Sequence, residues 1–133
     1  MASLFGLTVV EKVEVAPGIT KEIVKRGAGD KPVQGKQVNA HYTGKLLNGT
    51  DFDSSRKRGK PFSFTIGIGQ VIRGWDDGIA SMQPGERAVL TCDAANAYGP
   101  SGSPPVIPGG ATLAFDVELI SVGEAEQGGC AIA

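Results

Sequence analysis

The residues able to do covalent or metal chemistry are few. His41 is the sole histidine, and Cys92 and Cys130 are the only cysteines. A metal centre needs several such ligands converging; with one His and no paired Cys, none is expected, and His41 reads as a strand histidine. Cys92 ends a hydrophobic run with no basic neighbour to lower its pKa, which predicts a buried, inert thiol. Asp53, beside Ser54-Ser55, has the setting of a turn residue, with Arg58 near enough in sequence to pair with it and keep it ionised. The basic run Arg56-Lys57-Arg58-Lys60 is short and follows Asp51 and Asp53, so it reads as a solvated loop. At the end, Cys130-Ala131-Ile132-Ala133 fits the C-a-a-X pattern, in which a terminal Ala specifies farnesylation of Cys130. Glu124 and Glu126 precede it in place of a polybasic run, and one lipid anchors marginally. An unmodified tail is the preferred reading, and membrane contact is expected only if Cys130 is lipidated.

Non-covalent chemistry is better supplied. Tyr42, Phe52, Phe62, Phe64, Trp75, Tyr98 and Phe115 provide large apolar faces. Each alone is more often core than ligand wall, with the tyrosine hydroxyls bonded. The elements that position them follow from pattern. Leu7 to Val15 mostly alternates, with Leu7, Val9, Val13 and Val15 on one face, and reads as a strand. Ala16-Pro17-Gly18 turns the chain into a second strand, Ile19 to Lys25. Gln37 to Leu46 is a third, followed by Asn48-Gly49, the best hairpin signal in the chain. Ser54 to Pro61 reads as a loop or bulge. Phe62 to Ile66, Arg87 to Cys92 and Ala111 to Val122 are further strands. Trp75 to Met82 is the one helical segment, with Trp75, Ile79 and Met82 on one side. Ala95 to Gly110 is a long loop. Strands in succession with one short helix indicate an α+β fold, an antiparallel sheet packed on that helix.

Composition narrows the classes. The 133 residues favour one domain, and 20 Gly with 8 Pro suit many turns. Thirteen basic and fourteen acidic residues give a net charge of −1, so no nucleic-acid footprint is present. No apolar run approaches the ~18 residues of a membrane span. Leu4 to Val10 is apolar but lacks the flanks of a signal peptide. With two cysteines and no disulfide framework, the cytosol is the expected compartment.

Several segments resemble the FKBP-type peptidyl-prolyl cis–trans isomerases, the immunophilins that bind tacrolimus and rapamycin. They are His41-Tyr42-Thr43-Gly44, Phe52-Asp53-Ser54-Ser55-Arg56, Lys60-Pro61-Phe62-Ser63-Phe64, Val71-Ile72-Arg73-Gly74-Trp75, Ala97-Tyr98-Gly99, Ile107-Pro108 and Ala111 to Leu119. They occur in the family's order over about residues 17 to 123. The resemblance implies a half-barrel of five to six antiparallel strands wrapped over one short helix. It implies a domain at 17–123, an extension at 1–16 able to add a strand, and a tail at 124–133. It places an apolar pocket between helix and sheet, lined by Tyr42, Phe52, Asp53, Phe62, Val71, Ile72, Trp75, Tyr98, Val106, Ile107 and Phe115, with the Trp75 indole as floor. Arg58 and Gln70 are expected at its margin. Gln70 stands where an acidic residue is often seen, Ser103 where a His is common, and Asn96 where an aromatic is common.

The implied activity is isomerisation of X–Pro bonds without cofactor or metal. Trp75, Phe62 and Phe115 cradle the pyrrolidine ring, and the Ile72 N–H and Tyr98 hydroxyl fix substrate carbonyls. Asp53 either polarises the amide or orients Tyr42. Expected partners are proline-containing polypeptides, macrolides and, in a drug-dependent complex, a phosphatase or kinase. A monomer is expected. The rival readings are a non-catalytic regulatory module of the same fold and a folding helper for nascent chains.

Overall fold

Alternating apolar residues build one antiparallel sheet of seven strands in the computed structural model, which describes residues 2–122. The strands are β1 (Glu11–Ala16), β2 (Ile19–Lys25), β3 (Gln37–Leu46), β4 (Asp51–Ser54), β5 (Phe62–Thr65), β6 (Arg87–Cys92) and β7 (Leu113–Val122). Their order is β1-β2-β6-β7-β3-β4, and β5 also pairs with β3. The outermost strand is thus broken in two. Gln37 to Ala40 of β3 pair with β5, and Thr43 to Lys45 pair with β4. This break takes the count to seven, above the five or six expected.

Between β4 and β5 the chain forms a short helix, α1 (Ser55–Arg58), where the sequence pattern suggested only a loop. Four residues are too few to show a helical period. The caps explain the turn: the Ser54 hydroxyl accepts from the Lys57 N–H, and Gly59 ends the helix with a left-handed φ of 69°. The second helix, α2 (Arg73–Ala80), begins and ends two residues earlier than Trp75 to Met82. β1 is also shorter than Leu7 to Val15, because Val9 and Val10 are exposed and the regular ladder starts at Glu11.

The sheet is buried on one face against α2. Trp75, Ile79 and Met82 pack onto Ala88, Leu90 and Cys92 of β6, Leu113, Phe115, Val117 and Leu119 of β7, and Val38, Ala40 and Tyr42 of β3. These positions alternate along each strand, as a one-sided core requires. Val89 and Ala114 point the other way, and there Ala2, in a 3₁₀ turn at Ala2–Phe5, covers them. The end of α2 is held by Lys21 of β2, whose ammonium donates to the Ser81 carbonyl at 2.9 Å and pairs with Glu86 at 3.0 Å. Among the described residues no helix is long and apolar enough to cross a membrane.

Candidate functional site

The broken sheet edge creates the site. Tyr42 lies in the gap on β3 between the β5 and β4 pairings, so its N–H has no strand partner. The Ser55 hydroxyl oxygen, at the start of α1, accepts that N–H at 2.8 Å and also meets His41 Nδ1 at 2.8 Å. The single histidine is therefore a structural neighbour of the gap. Ser55, fully buried, was invisible to sequence patterning, because a missing ladder partner is a tertiary feature.

From this gap Tyr42 reaches inward to α2. Its ring meets the Trp75 indole edge-on, centroids 4.8 Å apart. Phe115 of β7 stands 5.4 Å from the same indole at 84°, and Phe62 of β5 stands 5.9 Å away at 72°. Phe52 of β4 completes the series, edge-on to Phe115 at 5.5 Å. Its position depends on Gly44, since a β-carbon there would lie 2.5 Å from the Phe52 ring and 3.1 Å from Phe115. These side chains enclose a cavity of about 280 Å³, lined also by Asp53, Gln70, Val71, Ile72 and Tyr98. Trp75 is buried, and its indole N–H has no protein acceptor among the described residues. Phe64, stacked on Phe62, lies behind the wall in the core.

One carboxylate enters this apolar space, and it is neutralised. Asp53 accepts a short hydrogen bond from the Tyr42 hydroxyl and forms an ion pair with Arg58 at 2.5 Å. Arg58 also donates to the Tyr42 oxygen at 3.1 Å. Burial alone would raise the Asp53 pKa. The hydrogen bonds from Tyr42 and Arg58, the guanidinium charge and the Ser54 N–H outweigh it and hold the carboxyl below its ordinary value. Burial, and then the hydrogen bond to Asp53, push the Tyr42 phenol above its usual 10. The geometry thus places Asp53 and Arg58 around the Tyr42 hydroxyl as a fixed polar triad.

Two donors are uncommitted. Ile72 caps α2 by accepting from the N–H groups of Trp75 and Asp76, at 3.0 and 3.1 Å. Among the described residues, neither its own N–H nor the Tyr98 hydroxyl bonds to a protein group. Tyr98 is half-exposed, and burial followed by the nearby Asp53 charge raises its pKa. The loop before Ile72 is pinned by Asp76, whose carboxylate accepts the N–H groups of Gly67 and Gly69 at 2.9 and 3.0 Å. Gln70 lines the cavity but is tied back to β5, accepting the Thr65 N–H at 2.9 Å.

Two residues expected in the lining stand elsewhere. Val106 and Ile107 do not line the cavity. A two-bond bridge between Ser103 and Ile107 turns Ile107 into the core and leaves Val106 about half-exposed. Arg58 lies outside the cavity and acts on it through Asp53 and Tyr42. Asn96, buried, ties the long loop to the Pro17 carbonyl at 3.0 Å. Cys92 is buried in the core with its thiol pushed up to about 12, by burial first and then by Asp93, which leaves almost no thiolate at neutral pH. Cys130 lies outside the described residues.

Residues 28–120 match the family model described as FKBP-type peptidyl-prolyl cis-trans isomerase. The chain is 51% identical over 113 residues to the Drosophila melanogaster peptidyl-prolyl cis-trans isomerase Fkbp12, covering 85% of this chain and 97% of that protein. It is 52% identical over 104 residues to FK506-binding protein 1 of Dictyostelium discoideum, covering 78% and 97%. A Schizosaccharomyces pombe peptidyl-prolyl cis-trans isomerase is 49% identical over 108 residues, covering 80% and 96%.

Proposed function

Because the chain belongs to the FKBP-type peptidyl-prolyl cis–trans isomerases and is an enzyme of that class, we propose that its reaction takes place in the aromatic cavity over Trp75. The observation that carries this reading is the set of three rings around one indole, with a fourth, Phe52, against Phe115, and with the carboxylate of the cavity lining already paired. Rotation about an X–Pro bond is slow because it breaks amide resonance, over a barrier of about 20 kcal/mol. The twisted amide has less charge separation than the planar one. A dry apolar cavity therefore disfavours it less than water does. No nucleophile or proton transfer is needed.

In this mechanism Trp75, Phe62 and Phe115 hold the pyrrolidine ring, and Phe52 closes the side wall. The Ile72 N–H and the Tyr98 hydroxyl receive substrate carbonyls and fix the chain on either side of the rotating bond. Asp53, held by Arg58, orients the Tyr42 hydroxyl at the rim. Stabilising the twisted form over the planar one by about 5–6 kcal/mol accelerates rotation roughly 10⁴-fold. Substrates are proline-containing polypeptides. Tacrolimus-type macrolides occupy the same cavity, and the drug complex presents a composite surface to a phosphatase or kinase. The protein acts as a cytosolic monomer.

The test is isomerisation of an X–Pro tetrapeptide by the purified protein, repeated with increasing tacrolimus. Turnover that falls in step with a change in Trp75 fluorescence supports the reading. Turnover unaffected by saturating drug, with binding established calorimetrically, places the reaction elsewhere.

A further inference from the structure

A second depression adjoins the cavity across Phe62. It is an open groove of about 400 Å³ lined by Arg58, Lys60, Pro61, Phe62 and Ser63. Phe62 lines both spaces, so the groove and the cavity share that ring. The groove has an apolar base, Pro61 and Phe62, and two cations at its side.

The cations differ in their commitments. Arg58 is bound to Asp53 and Tyr42, so its charge is already matched. The Lys60 ammonium has no hydrogen-bond or ion-pair partner among the described residues. Its position is set by the end of α1: Gly59 N–H donates to the Arg56 carbonyl at 3.1 Å, and Lys60 N–H to the Ser55 carbonyl at 3.4 Å. The cavity lining offers no free carboxylate to balance it, because Asp53, the one acidic residue in that lining, is paired with Arg58. A chain of net charge −1 thus carries an unbalanced positive charge beside its substrate cavity.

We infer that this groove is a subsite for an acidic substrate side chain, an Asp or Glu carboxylate flanking the isomerised proline, with Lys60 as its counter-charge. This rests on the cavity being the site of X–Pro isomerisation. The groove is open, so the pairing is screened and modest. An exposed ion pair corresponds to a preference of about two- to fivefold.

The test uses peptide pairs identical except for Glu or Gln at each position flanking the X–Pro bond, with isomerisation followed by NMR exchange. The wild-type protein should show a two- to fivefold higher kcat/KM for Glu at one flanking position, and added salt should shrink that ratio. Lys60→Ala should bring the ratio to near one, and Lys60→Glu should invert it. Lys12→Ala, which removes the same charge from β1 at the other edge of the sheet, should keep the wild-type ratio. Equal turnover of Glu and Gln peptides by the wild type at every position overturns the subsite. So does a ratio that survives in Lys60→Glu. Turnover of both peptides that persists under saturating tacrolimus would instead refute the site of reaction.

Discussion

Gly74 sits against Cys92. A β-carbon on the glycine would overlap the thiol sulfur, lie 2.9 Å from the cysteine Cβ and 3.2 Å from the Asn96 carbonyl oxygen. The first turn of α2 is thereby seated directly on β6, one residue before the Trp75 floor. Gly74→Ala should therefore destabilise the protein by about 2–3 kcal/mol through overpacking, despite the better helix propensity of Ala. Cys92→Ala introduced with it should recover part of the loss, since the sulfur is the main obstacle. Urea unfolding of the two single variants and the double variant measures this coupling. Additive effects would mean that α2 shifts away from β6 without strain.

Asp53 should set the acid limb of the activity's pH profile. Its folded pKa lies below the unfolded value of about 3.9, so its contribution is complete above that value and is lost as pH falls through the lower folded one. The Tyr42 phenol titrates above 10, so the hydroxyl remains a donor across the neutral range. kcat/KM should be flat from about pH 5 to 9 and decline only below about pH 4. Asp53→Asn should lower kcat/KM about fivefold, as expected for a half-exposed charged hydrogen bond worth about 1 kcal/mol, and should flatten the acid limb. An acid limb unchanged in Asp53→Asn would assign it to another group.

The aromatic wall separates catalysis from folding unevenly. Phe115 is only 3% exposed, so Phe115→Ala should cost about 3–5 kcal/mol of stability and is a poor functional probe. Phe52 is half-buried, and Phe52→Ala should stay folded while kcat/KM falls at least about tenfold, an effect of about 1.4 kcal/mol. Phe115→Leu serves the opposite wall. Cys92→Ala should lose stability but keep the activity of its folded fraction. Normal stability with lost activity in that variant would point to thiol chemistry.

How far the sequence is legible depends on the range of the interactions. β2, β3 and β6 have the bounds read from the sequence; β3 buries one face along its whole length, whereas β2 and β6 are buried on both faces at their centres. α1 escapes periodicity, although its Ser54 cap and Gly59 terminator are written in the chain. Ser55 escapes for a different reason. Its role depends on the gap between two strand pairings, which no local pattern records. The Tyr42–Asp53–Arg58 triad spans 17 positions and only partly follows from charge spacing. That Asp53 accepts from Tyr42, and so faces the ring hydroxyl, required the fold. Val106 and Ile107 mark the limit of arguing from resemblance, since a local bridge in the long loop sets where they point.

The buried pair Lys21 and Glu86 ties β2 to the end of α2, with both side chains 5% exposed and 3.0 Å apart. Glu86 also accepts the Gln83 N–H at 3.1 Å, and Lys21 donates to the last turn of the helix, where a cation is favoured. Removing one partner strands the other charge in the core. Lys21→Met should cost about 3–5 kcal/mol. Lys21→Met with Glu86→Gln should recover more than half of that, because the buried carboxylate charge is gone and the Gln can still accept from Gln83. Urea midpoints at pH 7 provide the comparison, with equal slopes required. A loss of under about 1 kcal/mol in Lys21→Met would mean that water reaches Glu86 and that the pair does not hold the end of the helix.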